Sequence, residues 1–244
     1  MKLATRRTPI IVAVAAVLLL AGCSAAAPTP TTTPDAAEQP EASPTPTVEP
    51  EPVDPLTTVA TIVVRPEQLE LLDASDAVIT TLSYDDEAAE FIGALTTVLG
   101  AAPAQSESEG GLESPPSTAY DWDGLSVRDD HEADVATEGE GTYDGIDMNV
   151  SVNFATPTVG DGVAVRTVNG FQPGGDAEAL AAELGEPWYD NGYDQVRVET
   201  GAPIGEPTPG IEYENAYSVA VNTWEHDGVS NTVFAPWNFG IGHV

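Results

Sequence analysis

The chain has 244 residues, of which forty are Asp or Glu and seven are Lys or Arg, giving a formal charge of −33. A nucleic-acid binder needs a basic face to displace counterions, and none is present, so that class is excluded. Apolar residues make up 41%, enough for a core, while 21 prolines and 22 glycines set part of the chain aside for unpacked segments.

In chain order, the first 23 residues divide into a basic start (Lys2, Arg6, Arg7), an apolar run from Ile10 to Leu20 and a small-residue end, Ala21-Gly22-Cys23. The run is far shorter than the roughly 20 residues of a lasting membrane span, and the order of its parts is that of an export signal. The segment Leu20-Ala21-Gly22-Cys23 resembles the lipobox of bacterial lipoproteins. That resemblance implies a signal peptide over 1–22, a diacylglyceryl group on the Cys23 thiol, cleavage just before it, and residence on the extracytoplasmic face of the cell membrane. Cys23 is the sole cysteine, so it cannot form an internal disulfide, and no Cys-based metal site exists. Two acyl chains at about 0.8 kcal/mol per buried methylene hold a protein stably, where one is marginal. The richness in Ala, Pro and acids, with a single lysine, points to an actinobacterial kind of source.

Once the leader is gone, Arg65, Arg128, Arg166 and Arg197 are the only cations. An anionic lipid surface repels such a body over a Debye length of about 8 Å. Residues 23–55 answer this: the tract is rich in Thr-Pro and Glu-Pro, has nine prolines and no aromatic residue, and cannot bury enough apolar surface to fold. It is expected to be a disordered stalk, extended toward polyproline II with a reach on the order of 100 Å.

All sixteen aromatics lie between Tyr84 and Phe239, so the folded part is expected over 56–244, with 56–155 and 156–244 as possible halves. Strands are predicted at Thr61–Arg65, Leu69–Leu72 and Val78–Tyr84, with a hairpin turn at Asp73-Ala74-Ser75-Asp76. Asp85 or Asp86 is expected to cap a helix in which Ala88, Phe91, Ile92, Leu95, Val98 and Leu99 share one face, stopped by Gly100 and Pro103. The polar stretch from Ala104 to Ser117 has no periodicity and is predicted to be a loop.

Strands resume at Tyr120–Val127 and Met148–Phe154. In the latter, Met148, Val150, Val152 and Phe154 alternate with Asn149, Ser151 and Asn153, the pattern of a sheet with one wet face. A strand at Val163–Val168 leads through Asn169-Gly170 to a second helix, with Ala177, Leu180, Ala181 and Leu184 on one side and Gly185 and Pro187 at its end. Val196–Glu199, Ala216–Trp224 and Val229–Ala235 complete the strands, the last two joined at His226-Asp227-Gly228. The fold class is α+β: antiparallel sheet or sheets with two helices, behind the stalk.

Both helices end Leu-Gly with a proline close behind, which suggests a degenerate tandem repeat. The stretch Thr167-Val168-Asn169-Gly170-Phe171-Gln172-Pro173-Gly174 through Pro187 resembles the repeats of β-lactamase-inhibitor-protein-like and small outer-membrane-assembly lipoproteins. The resemblance implies an interaction fold and transfers no functional residue.

No nucleophile elbow, zinc-hydrolase helix or phosphate loop occurs, and the three histidines, His131, His226 and His243, are scattered. Asp121 and Asp123, around Trp122, form the carboxylate pair that a hydrolase of glycosidase type would use. Asp121-Trp122-Asp123-Gly124 and Asp144-Gly145-Ile146-Asp147 hold oxygen ligands at short spacing but lack a calcium-loop pattern, and turns on a solvated acidic surface account for them better. The candidate recognition residues are Trp188, Tyr189, Asp190 and Tyr193, aromatics interleaved with polar groups, although packing beneath the second helix accounts for Trp188 equally well. The expectation is a non-catalytic binding domain without cofactor or metal, whose partners are the membrane through its anchor and an envelope protein or wall polymer; a wall-associated hydrolase is the alternative.

Overall fold

The computed structural model of the chain describes residues 53–110, 115–131, 148–188, 194–225 and 228–240. The leader, Cys23 and most of the stalk lie outside these residues, as do Tyr189, Asp190, Tyr193, His226, His243 and the segment Asp144–Asp147.

Packing begins where the prolines thin out. Asp54 accepts the Leu56 N–H at 2.9 Å and opens a short 3-10 turn over Pro55–Thr58. Two antiparallel strands follow, β1 (Thr61–Val64) and β2 (Gln68–Leu72). The expected turn after β2 is present: Asp73 Oδ1 accepts the Ser75 and Ala77 N–H groups and the Ser75 hydroxyl, and these bonds hold its carboxyl below the usual aspartate range. β3 (Val78–Ser83) returns alongside β2.

The first helix, α1 (Ala88–Leu99), buries Phe91, Leu95, Val98 and Leu99, as the 3.6-residue period requires. Its cap differs from expectation. Glu87 occupies the cap position without a side-chain bond, because the Asp86 carboxylate is taken by the Ser83 N–H at 2.9 Å. Gly100 closes the helix in the left-handed region, as predicted.

The stretch predicted to be a loop contains β4 (Ala104–Ser108), which pairs along its whole length with β5 (Ser117–Trp122). All five β4 residues are exposed at a sheet edge. Backbone pairing alone makes the strand, so no hydrophobic alternation announces it. The predicted strand Tyr120–Val127 is two strands, β5 and β6 (Leu125–Asp130), folded back at Gly124. Gly124 has φ 82°, and a Cβ there would fall on Thr156 Oγ1.

β7 (Val150–Phe154) alternates as read: Val150, Val152 and Phe154 are buried and Asn153 is exposed. β8 (Thr158–Val159) and β9 (Val163–Thr167) lead to α2 (Ala177–Leu184), where the Asp176 side chain accepts the Ala179 N–H at 3.0 Å. Ala177, Leu180 and Ala181 are buried on its inner face, but Leu184, expected with them, is exposed at the last turn. The remaining strands are β10 (Gln195–Gly205), β11 (Asn215–Asn222) and β12 (Thr232–Asn238). The first is much longer than Val196–Glu199 and is irregular, with register breaks that carry it past Pro203.

These strands form a five-stranded sheet, β3-β2-β1-β9-β8, and a seven-stranded sheet, β10-β11-β12-β7-β6-β5-β4. The antiparallel expectation holds throughout the second sheet and fails once in the first, where β1 and β9 run parallel. The sequence separation of these strands, with other strands and α1 between them, is what permits a parallel crossover. Strands from before and after residue 155 share both sheets. The helices leave from non-equivalent strands, α1 from the edge strand β3 and α2 from the interior strand β9. Both lead to an edge strand of the larger sheet.

One core joins the layers. Ile62, Val64, Leu69, Leu71 and Val165 of the smaller sheet meet Val127, Val150, Val152, Phe154, Val219 and Val233 of the larger, with Phe91, Leu95 and Leu180 from the helices. No helix among the described residues is long and apolar enough to cross a membrane.

Candidate functional site

With one face of the seven-stranded sheet committed to the core, the opposite face looks away from it, exposed at Asp121 and Asn153 and covered at Ala216, Ser218 and Ala220. Registered partners in adjacent strands point the same way, so the pairing fixes its composition. Ala104 of β4 pairs Asp121 of β5, Asp121 pairs Ser126 of β6, and Ser126 pairs Asn153 of β7. Asn153 pairs Phe234 of β12, Phe234 pairs Ala220 of β11, and Ala220 pairs Arg197 of β10. A single row therefore crosses all seven strands, with small or polar groups at one end and an aromatic and a guanidinium at the other. Beside it runs a shorter row, Ser106, Ala119, Arg128 and Ser151.

A bulge sharpens the aromatic end. β12 spends three residues between Phe234 and Trp237 where β11 spends two between Ala220 and Ser218, so both rings reach the outer face. They meet edge to face with centroids 5.3 Å apart, and Phe239 and Tyr213 extend the group. Ala216, Ser218 and Ala220 sit beneath on β11, almost wholly buried although their side lies away from the core. Their small size lets the aromatic layer settle on the strand. Arg197 stacks over Tyr213 at 4.7 Å and is held by Glu186 at 3.0 Å and Glu214 at 3.1 Å. Next to it opens a cleft of about 400 Å³, lined by Leu184, Glu186, Arg197, Thr200, Pro203 and Glu214.

Charge is disposed consistently. Each of the four described arginines is paired with acid: Arg65 with Glu70 and Glu199, Arg128 with Asp130, Arg166 with Asp76, and Arg197 as above. The field outside the molecule is that of the unmatched carboxylates. On the outer face itself, Arg128 Nε lies 2.7 Å from Asp130 Oδ1. Burial pushes the Asp130 carboxyl above the usual aspartate range, against the pull of Arg128.

The expected site residues fare differently. Trp188 is half-buried against the core, the packing role weighed against recognition. Tyr189, Asp190 and Tyr193 lie outside the described residues. Asp121 and Asp123 are both exposed but serve different places, Asp121 within the outer row and Asp123 beside a separate cavity of about 490 Å³. That cavity also takes in Trp122, Thr156 and Gly160, and Trp122 is fixed by donating its indole N–H to Ala101 O at 2.8 Å. His131, unremarkable in sequence, lies 2.9 Å from the Thr118 hydroxyl through Nε2. Asp129 approaches the same nitrogen at 4.0 Å, so these contacts are not the relay in which carboxylate and hydroxyl hold opposite nitrogens. Among the described residues, no group of three His, Cys, Asp or Glu side chains is placed to hold a metal ion.

The sequence signal for the outer face was the wet side of β7, Asn149, Ser151 and Asn153. Phe234 and Trp237 escaped because their i, i+3 spacing has no meaning in a regular strand and only the bulge aligns them. No family model matches the chain, and no curated protein or solved structure is similar to it.

Proposed function

We propose that the chain is a lipid-anchored, extracytoplasmic binding protein that holds an acidic domain away from the membrane and presents the outer face of its seven-stranded sheet to a component of the cell envelope. The supporting observation is the continuous row from Ala104 to Arg197, which sets polar groups beside a half-buried aromatic cluster on an otherwise regular sheet. The stalk and the lipobox-like segment support the placement, since an acidic head needs distance from an anionic bilayer.

Two measurements test this reading. Radiolabelled palmitate should enter the wild-type chain and not Cys23→Ser, which should also leave the membrane fraction; equal labelling would overturn the anchor. Sedimentation with purified cell-wall fragments should be saturable and weakened by Asn153→Ala. The hydrolase alternative would be favoured instead by release of soluble fragments that is abolished in Asp121→Asn or Asp123→Asn.

A further inference from the structure

We infer that the cavity between the end of α1, the β5–β6 turn and the β7–β8 connection is a binding site for a small organic monocation with an apolar body, of the substituted-ammonium class. The inference stands independently of the outer face of the larger sheet.

The cavity measures about 490 Å³, within the range of about 300–1,000 Å³ typical of small-molecule sites. Among its lining residues Leu99 and Val159 are buried, Trp122 is half-buried, and Asp123 and Pro157 are exposed, so it runs from the edge of the core to solvent. Its three walls are pinned to one another. Trp122 donates its indole N–H to Ala101 O at 2.8 Å, which joins the β5–β6 turn to the end of α1. The Ala155 N–H donates to Gly124 O at 2.9 Å, which joins the same turn to the β7–β8 connection. Gly160, at φ 54°, approaches the helix so closely that a Cβ would lie 2.9 Å from Leu99 Cα. A site held in this way needs little rearrangement to accept a ligand, and the ordering cost of binding falls accordingly.

The chemistry of the walls selects the ligand. With its N–H spent on Ala101, Trp122 has only ring carbons and π electrons left to offer, and these attract apolar groups and cations. Asp123 supplies a formal negative charge in the same lining. Asp161, next in the chain to Gly160, brings its carboxylate within 3.6 Å of where a Cβ on Gly100 would stand, between the lining residues Leu99 and Ala101. Neither carboxylate has an ion-pair partner among the described residues, and no Arg, Lys or His lines the cavity. α1 also ends here with no basic residue in its last turn, so the negative end of the helix dipole adds to the carboxylates. The net charge of −33 draws cations toward the whole surface. What the cavity adds is an aromatic and aliphatic wall beside a carboxylate, which favours an organic cation over a metal ion that needs a shell of oxygen ligands.

The test uses the full-length chain in a non-ionic detergent at about 0.15 M salt, where diffuse surface attraction is screened beyond about 8 Å. Calorimetry compares benzyltriethylammonium with tetramethylammonium, which has the charge without the body, with benzyl alcohol, which has the body without the charge, and with benzoate. Benzyltriethylammonium should bind saturably and about tenfold or more tighter than the other three. Asp123→Asn and Trp122→Leu should each weaken it by about tenfold, and Asp123→Lys should abolish it. Glu178→Gln, which removes an exposed acid on α2, should leave it unchanged. Asp123 is exposed, so its variants decide the matter where thermal melting shows that Trp122→Leu does not fold. The inference is overturned if benzyltriethylammonium does not saturate, if benzyl alcohol or benzoate binds as tightly, if Asp123→Asn weakens binding no more than Glu178→Gln does, or if Asp123→Lys still binds the cation.

Discussion

Arg65, in the turn after β1, grips Glu199 on β10 with its Nε at 3.0 and 3.1 Å from the two carboxylate oxygens and its Nη2 at 2.8 Å from one of them. The pair ties the smaller sheet to the irregular edge of the larger one. Glu199 reaches inward because the bulge after Arg197 reverses the facing of the residues beyond it: Arg197 looks out toward Ala220, while Glu199 looks back toward the turn at Arg65. The register break after Arg197 thus leaves Arg197 on the outer face and turns Glu199 toward the other sheet.

Removing this contact should loosen the β10 edge before the core. Arg65→Ala leaves Glu199 and Glu70 without their shared cation, and the partly exposed site limits the loss to about 1–2 kcal/mol. Urea unfolding should register that loss, and a double-mutant cycle with Glu199→Ala should return a favourable coupling. Additive single effects would show that the two residues act independently.

Tyr84 is fully buried, and its hydroxyl has no hydrogen-bond partner among the described residues. Tyr84→Phe should therefore leave stability unchanged or raise it by about 1 kcal/mol in denaturant melts. Burial, with Glu199 adding a smaller push, moves the phenol well above 10.0. The folded state keeps this proton longer than the unfolded chain, so its contribution is complete below pH 10 and is lost as pH rises beyond it. Ultraviolet titration should show one tyrosine that ionises only with unfolding, and that step should vanish in Tyr84→Phe.

Asp130 carries the same sign of linkage at the acid end. Its carboxyl is raised by burial, so the folded state binds the proton more tightly than the unfolded chain, and the penalty of holding the charge is greatest at neutral pH. As pH falls through the raised value toward 3.8, that penalty is relieved. The stability of Asp130→Asn relative to wild type should thus be most favourable near pH 7 and decline toward pH 4. A difference that does not change with pH would contradict the assignment.

Gly124→Ala should cost about 1–3 kcal/mol, because the residue must hold φ 82° and its new methyl would fall on the Thr156 side chain. Thermal melting checks the loss. Thr156→Gly in the same chain should recover only the steric part, since the backbone strain stays.

Periodicity and turn chemistry made several elements readable without coordinates. α1, α2 and their glycine stops, the Asp73 turn and the alternation of β7 are local properties: each depends on side chains within one or two turns of the chain, and the described structure agrees with them. The leader, the lone cysteine and the proline tract are local too, and the proposed anchorage draws on them. What local pattern could not supply was pairing. β4 has no hydrophobic face and exists because β5 lies beside it; β1 and β9 run parallel because of how the connection crosses over; Phe234 and Trp237 share a face because β12 bulges opposite β11. Which residues of seven strands line up in one row is set by hydrogen-bond register between segments as far apart as Asn153 and Phe234, and a one-residue slip would turn each of them to the other face. The sequence by itself decided where the two helices run and the glycines that end them, while the tertiary structure alone decided what stands next to what on the surface, because strand pairing is a contact between distant backbones that no single stretch of side chains encodes.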